Sequence, residues 1–512
     1  MKKTILILFA FINILTLSAQ TEFDALKYIQ TDITGTARYM SMSGAFGALG
    51  GDASSIKDNP AGLGVYRSSE VVGSLNTTIQ SSTSFWNNIG SKITSPYKTG
   101  FNNFALIIAV PTWRQETGAA GLISSNFSFS YNRLKNYDKM VRIKSENTSS
   151  SMTQYMAYFT DKIPLVDLKY TDSYEPFDNV NIPWISILGY EAGIMNEQKD
   201  GSGNTVSWNS FLGTNETVKP SYLLTEKGHI DEYQIGWSGN YNNKLFFGAT
   251  ANIQTLNYSA ISKYGESFSE GGSIELVDTV LTKGNGLNFN LGAIYHYSNN
   301  LRFGLSIQTP TILSLSDDYY SKINFDTDIN SNVGTPGSYS DFMLQSPLRV
   351  NVSTAYIFEK AGLVSFEYNF SNNQGIQLMD SYGNNQSFDL ENEGMIHVAK
   401  NVHTFKFGGE YKVSPNFSLR AGYANVSRGT KSTANKYMRI NTTRTDTEYF
   451  INNSTNYYSA GFGYREAKWF IDFAYVHRIL DETFLPYNLS NVNTASIKTS
   501  TDNLAVTLGF KF

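Results

Sequence analysis

The last nine residues of the chain alternate without exception. Leu504, Val506, Leu508, Phe510 and Phe512 fall on one face, and Ala505, Thr507, Gly509 and Lys511 on the other. A period of two puts successive side chains on opposite faces of a strand, so this segment is a strand with one fully apolar face that something must cover. The pattern recurs upstream. Leu301, Phe303, Leu305 and Ile307 alternate with Arg302, Gly304, Ser306 and Gln308. Val364, Phe366, Tyr368 and Phe370 alternate with Ser365, Glu367, Asn369 and Ser371, and Trp469, Ile471, Phe473 and Tyr475 are interleaved with Asp472 and Ala474. No amphipathic helical run accompanies these strands to supply a covering layer. The alternation therefore predicts apolar faces turned to lipid and polar faces turned inward.

Composition is compatible with that and with little else that crosses a membrane. A mean hydropathy of −0.28 excludes a bundle of apolar helices, whereas a barrel that alternates apolar and polar residues averages near neutral. The 33 Tyr and 33 Phe against 6 Trp fit aromatic girdles, although a soluble all-β sandwich shares the bias. A net charge of −4 and the absence of a basic stripe argue against a nucleic-acid partner. With no cysteine there is no disulfide framework, thiolate metal site or thiol nucleophile.

The links decide between sandwich and membrane barrel. Alternation predicts fourteen strands, near 69–80, 101–110, 122–143, 227–242, 244–261, 284–297, 300–325, 343–358, 362–378, 401–413, 416–429, 454–465, 467–479 and 500–512. Short connections such as Tyr241-Asn242-Asn243-Lys244 and Val413-Ser414-Pro415-Asn416 alternate with long polar ones near 262–283, 326–342, 379–400, 430–453 and 480–499. Short periplasmic turns with long outer loops are the asymmetry of outer-membrane barrels, and an even count returns both ends of the wall to the periplasmic side. The expected fold is thus all-β, a 14-stranded antiparallel transmembrane barrel over 69–512. The C-terminal strand ending at Phe512 is expected to be read by the barrel assembly machinery.

Two segments fall outside the strand pattern. Residues 1–20 have Lys2 and Lys3, an apolar core from Ile5 to Leu17, and a small-residue region at Ser18-Ala19-Gln20, the form of a removable secretory signal. Residues 21–68 are Gly- and Ala-rich and do not alternate. Their Asn59-Pro60-Ala61-Gly62 is turn-forming, because proline fixes one dihedral and glycine frees another.

Gly35-Thr36-Ala37-Arg38, the run Ser43-Gly44-Ala45-Phe46-Gly47-Ala48-Leu49-Gly50-Gly51-Asp52, and Asn59-Pro60-Ala61 shortly before the first strand together resemble the FadL/TodX family. Members of that family are outer-membrane transporters of long-chain fatty acids and aromatic hydrocarbons, and some are labelled haemin receptors. The resemblance implies that residues 21–68 form a small hatch plugging a fourteen-stranded barrel. It also implies passive uptake of a hydrophobic, fatty-acid-like or aromatic small molecule in the outer membrane, with no cofactor. Gly44, Gly47, Gly50 and Gly51 would then either let the hatch move or let it pack closely. A rival role for such a barrel is PorV-like, an interaction protein in surface protein export or attachment.

Residues 144–226 form an outer link of roughly eighty positions, long enough to be functional or structured. Met152, Tyr155, Met156 and Phe159 suit one face of a short helix, and Trp184, Ile187 and Leu188 form a second apolar group. They make either a surface that captures an apolar ligand or a cap that buries itself. Arg302, Arg349 and Arg420 share the inward faces of their strands with Glu367, Lys406, Glu410, Lys412 and Asp472. One or two of these arginines either meet a carboxylate headgroup through paired hydrogen bonds or brace the lumen. His229, His296, His397, His403 and His477 are scattered without metal-ligand spacing, and no Gly-x-Ser-x-Gly elbow is present, so an enzyme and a metal site are not expected. Asp200-Gly201-Ser202-Gly203-Asn204 lacks the carboxylates of a calcium loop.

Overall fold

The computed structural model describes residues 20–327, 331–440 and 442–512. The expected signal segment lies outside these residues except for Gln20. Fourteen antiparallel strands make a closed wall. They are β1 (Glu70–Trp86), β2 (Lys98–Pro111), β3 (Leu122–Asn136, resumed as Lys139–Lys144), β4 (Val218–Tyr241), β5 (Leu245–Phe268), β6 (Ser273–His296) and β7 (Leu301–Gln308 and Ile312–Asp326). The wall continues with β8 (Ser338–Gln345 and Arg349–Phe358), β9 (Gly362–Ser371 and Gln377–Asp380), β10 (Val402–Lys412), β11 (Phe417–Val426), β12 (Tyr449–Arg465), β13 (Trp469–Leu485) and β14 (Ala495–Lys511). Each strand pairs with its neighbours in chain order, and β14 returns to β1 from Glu70–Lys511 through Phe85–Ser496. Closure removes the free end strands of an open sheet, the condition for strands in hydrocarbon.

The alternation sorts the two faces as expected. On β14 Leu504, Val506, Leu508 and Phe510 are exposed, whereas Ala505 and Thr507 are buried. Exposed rings gather toward the short-turn end, including Tyr241, Tyr295, Tyr297, Phe358, Tyr411, Tyr464, Trp469 and Phe512. Asn242 and Asn243 take positive φ of 55° and 56°, the two left-handed residues of a type I′ hairpin turn, which closes β4 onto β5.

The sequence misplaces several outer strand ends. The link expected over 262–283 is mostly strand: β5 runs to Phe268 and β6 starts at Ser273. β4 begins at Val218 rather than near residue 227, inside the expected 144–226 loop. In these outer halves the apolar residues, such as Tyr264, Phe268, Ile274 and Leu276, point inward, so the hydrophobic alternation changes phase although the pleat continues. A short hairpin strand, Ile89–Thr94, also pairs back onto β1, where the sequence implies only a link.

The rest of the link between β3 and β4 folds as a cap. It carries α3 (Met152–Phe159), α4 (Trp184–Glu191) and a hairpin of Met195–Lys199 with Thr205–Ser210. Their apolar side chains form one cluster with inward residues from the outer ends of the wall, among them Tyr222, Leu224, Phe268, Leu276, Ile323 and Phe484. The α3 start is pinned from the wall. Ser151 caps the helix, and Glu266 of β5 accepts hydrogen bonds from Met152 N at 2.8 Å, from the Tyr264 hydroxyl at 2.7 Å and from Ser151 Oγ. A carboxylate at a helix N-terminus complements the unsatisfied N–H groups there.

Candidate functional site

Residues 20–66 are held within the ring of strands, and their hydrogen bonds reach nearly every side of it. Two helices, α1 (Glu22–Tyr28) and α2 (Ala37–Ser41), precede two 3₁₀ turns, Ala53–Lys57 and Pro60–Val65. The segment runs from the long-link end toward the short-turn end. Near its start, Lys27 meets Glu226 of β4 at 2.7 Å and Tyr28 Oη meets Thr282 Oγ1 of β6 at 2.7 Å. Midway, Ala37 N donates to Thr507 of β14 at 2.7 Å, and Arg38 pairs with Glu410 of β10 at 2.9 Å. Toward its end, Asn59 Nδ2 donates to Gly47 O at 2.6 Å and to Ala293 O of β6 at 3.2 Å.

The glycine run and Asn59-Pro60-Ala61 explain that path. Asn59 caps the turn Pro60–Val65, its side chain accepting from Ala61 N at 3.1 Å while Pro60 takes the first position, where no N–H is needed. Gly47 lies against the wall: a Cβ there would come within 2.5 Å of Ser353 Oγ and 2.9 Å of Glu367 Oε2. Its N–H instead donates to Glu367 Oε2 at 2.7 Å, beside that of Phe46 at 3.2 Å. Gly50 combines φ of +60° with a Cβ position 2.7 Å from Gly62 Cα, so neither conformation nor space admits a side chain. Gly44 and Gly51 also take positive φ, at 73° and 66°.

Above and beside this segment lie two cavities, of about 290 Å³ and about 250 Å³. Asp32, Ile33, Lys135, Tyr457 and Arg478 line both. At this waist the Asp32 carboxylate is 2.9 Å from Lys135 Nζ and 3.7 Å from Arg478 Nη2. The outer cavity is lined by Phe23, Tyr137, Tyr222, Tyr258, Tyr449, Phe450 and Leu480 together with charged groups. The inner one includes Ile29, Leu134, Val402 and Val426 with Arg349 and several amides.

The outer cavity also touches the wall where its pairing stops. β2 pairs with β3 only from Asn103–Asn132 toward the short-turn end. Beyond that point Thr99, Gly100, Phe101 and Asn102 of β2 and Arg133, Lys135 and Asn136 of β3 line the cavity instead of one another's ladder. β3 shifts register against β4 between Arg133 and Lys135, and Leu134 and Tyr137 turn into the apolar cluster around α1. The inner segment partly replaces the lost ladder, since Asp32 N donates to Leu134 O at 2.8 Å. Lys98 and Asp138 form an ion pair across the break.

The three arginines have different places. Arg420 is buried between Glu410 at 2.7 Å and Asp472 at 2.6 Å, and it lines neither cavity. Arg302 donates to Leu49 O at 3.3 Å near the short-turn end, also away from both. Arg349 lines the inner cavity and donates to Ile29 O at 2.6 Å. Of the two readings of the cap residues, the buried arrangement is the one present: Met152, Tyr155, Met156, Trp184, Ile187 and Leu188 are buried, with Phe159 packed beside them, and none lines either of the two cavities. Each helix buries its apolar face against the wall ends, so these side chains do not form an open capture surface. The waist groups Asp32, Lys135 and Arg478 are absent from the sequence-based candidates. Arg478 shares the inward parity of Asp472 and Ala474, which is the signal that points to it.

No protein-family model matches the chain, and no curated protein matches it. Solved structures do. A FadL homologue from Pseudomonas aeruginosa aligns with a TM-score of 0.52 at 12% identity, covering 94% of this chain and 99% of that one. The toluene transporter TodX of P. putida aligns with the same TM-score, identity and coverage. The wall of fourteen strands and these likenesses together give the chain the fold of the FadL/TodX-like outer-membrane barrels.

Proposed function

We propose that this barrel is a passive route for hydrophobic small molecules, fatty-acid-like or aromatic, across the outer membrane. Residues 1–20 serve as the removed signal, residues 21–68 act as the hatch, and the strand ending at Phe512 is read by the assembly machinery. The fold supports the reading, because solved barrels of this type include a toluene transporter. The observation that carries it is the outer cavity, which reaches the wall where β2 and β3 stop pairing. A hydrophobic solute entering there leaves sideways into lipid and need not cross the polar remainder of the lumen. Arg349 in the inner cavity is the arginine placed to meet a carboxylate end.

The test locks the break. Cysteines replacing Lys98 and Asp138 are cross-linked with a short bis-methanethiosulfonate, which joins the two thiols through reducible disulfides, in a chain that otherwise has no cysteine. Uptake of a fatty acid or toluene should fall on cross-linking and recover on reduction. Unchanged uptake in the cross-linked barrel rejects the sideways route. Native mass spectrometry of the untreated barrel, searched for bound lipid, tests the ligand class separately.

A further inference from the structure

We propose that the outward face of β3–β7, beyond the apolar belt, docks the phosphate groups of an outer-leaflet glycolipid of the lipopolysaccharide type. The pleat sorts charge by face on these strands. Glu226 and Glu232 of β4, Glu266 of β5 and Asp278 of β6 point inward and are buried. The outward positions carry Arg142 and Lys144 of β3, Lys227 of β4, Lys263 of β5, Lys283 of β6 and Lys322 of β7. The first five are exposed and Lys322 is half-buried. Among the described residues none of the six has an ion-pair partner, in contrast to Arg133, whose guanidinium holds Asp231 at 2.9 Å. The other carboxylates on this face are Glu275, Asp318 and Asp326, so cations are in excess, and Lys219 near the start of β4 adds one more.

The cations are also in register. Arg142 stands opposite Leu223, Leu223 opposite Lys263, Lys263 opposite Val277, and Val277 opposite Lys322. Three positive side chains therefore share one cross-strand row on every second strand, about 10 Å apart at a strand spacing of about 4.8 Å. The row continues the lipid-facing side. Lys283 follows the exposed Leu287 and Phe289 on the same face of β6, four positions or about 13 Å of strand beyond Leu287. Lys263 follows Ile253 on β5 and Lys322 follows Ile312 on β7, each ten positions on, or about 33 Å along a tilted strand. Ile261, Leu281 and Tyr320 are exposed among these cations, so the face is mixed apolar and basic there, the character of a headgroup boundary. The partner that lies beside an outward barrel face at this level is the outer-leaflet glycolipid, and its phosphates are the chemistry that unpartnered ammonium and guanidinium groups bind. The cavities and the break between β2 and β3 play no part in this surface.

The purified barrel in detergent is titrated with phosphorylated lipopolysaccharide and with the same glycolipid stripped of phosphate. Against the phosphorylated form, the quadruple variant Lys227→Gln, Lys263→Gln, Lys283→Gln, Lys322→Gln should lose affinity by about fivefold per lysine, more than about a hundredfold in all, and its affinity should depend less on salt. The corresponding Lys→Arg quadruple retains binding. The wild type should bind the phosphate-free form as weakly as the Gln variant binds the intact one. Equal affinity of wild type and Gln variant, or no loss on removing phosphate, overturns the proposal, as does binding of acidic proteins in place of the glycolipid. Heat-dependent migration on electrophoresis reports folding, and the single Lys283→Gln, expected about fivefold weaker, covers the case in which the quadruple variant does not fold. Uptake by the Gln variant should be unchanged, which separates this surface from the transport reading.

Discussion

Gly47 is one of the points at which the inner segment lies directly against the wall. Glu367 accepts from two successive N–H groups there, and Lys406 holds the same carboxylate at 2.7 Å through its other oxygen. Gly47→Ala would drive a methyl into Ser353, Asn351 and Glu367, an overpacking that costs about 1–3 kcal/mol. A lowered denaturation midpoint of the folded barrel in detergent checks it, and an unchanged midpoint means that the segment yields at this contact. Arg420 and Arg349 separate bracing from binding. Arg420→Ala leaves Glu410 and Asp472 buried beside a lost cation, a change worth about 3–5 kcal/mol of stability. Arg349→Ala removes a group facing the inner cavity, and the affinity for a fatty acid should fall about tenfold or more, since hydrogen bonds to charged groups contribute about 1.5–3 kcal/mol. Fatty-acid binding that is equal to wild type in Arg349→Ala removes the headgroup role. The inward parity of all three arginines was readable from their strands. Their different partners were not, because Glu410 lies ten positions from Arg420 and Asp472 fifty-two, and nothing local links them.

At the level of elements, apolar alternation found every strand of the wall within the belt and lost it outside. β5 runs on beyond its last predicted residue and β6 starts well before its first, because the outer halves turn Tyr264, Phe268, Ile274 and Leu276 inward among buried carboxylates. The hydrophobic alternation there is reversed in phase and interrupted by inward carboxylates, so it does not continue the lipid-facing pattern. The break in β3 was likewise hidden within the single stretch expected over 122–143, since Leu134 and Tyr137 look like continued strand until α1 is placed beside them. The link before β12 carries a titratable element. Glu448, just ahead of β12, is buried, and burial together with the nearby Asp278 and Asp446 pushes its carboxyl up to about 7. A carboxyl raised in this way favours the folded chain most below the ordinary carboxylate range, and that advantage is lost as pH rises toward 7. Lys436 offsets only part of the effect, because it also serves Asp446 at 2.7 Å. Glu448→Gln should therefore raise the melting temperature at pH 8 and change it little at pH 4. A melting temperature that is equally affected at both values would show that Glu448 acts through its hydrogen bonds and not its charge.

For the molecule as a whole, the striped sequence sorts itself into a lipid-facing belt, a polar lumen and an outer basic face. A count of net charge shows no basic stripe because the inward carboxylates of the same strands cancel it. What fills the lumen follows from strand number. A wall of eight strands is filled by its own side chains, while sixteen to eighteen leave an aqueous channel. Fourteen lies close to the second case, and here residues 20–66 occupy the interior through bonds to both halves of the ring. If those residues are the obstruction, removing 22–66 while keeping the wall intact should convert the barrel into a wide pore. Planar-bilayer recordings should then show large, steady single-channel conductance in the deletion variant, well above that of the full-length protein. The closed wall takes its ladder from its own strands, β14 returning to β1, and the segment bonds to the backbone of β3 through Asp32 and Thr34. The deletion variant should thus still migrate as a heat-modifiable barrel. A deletion variant that folds and conducts no more than the full-length chain would show that the cap, not the inner segment, closes the lumen.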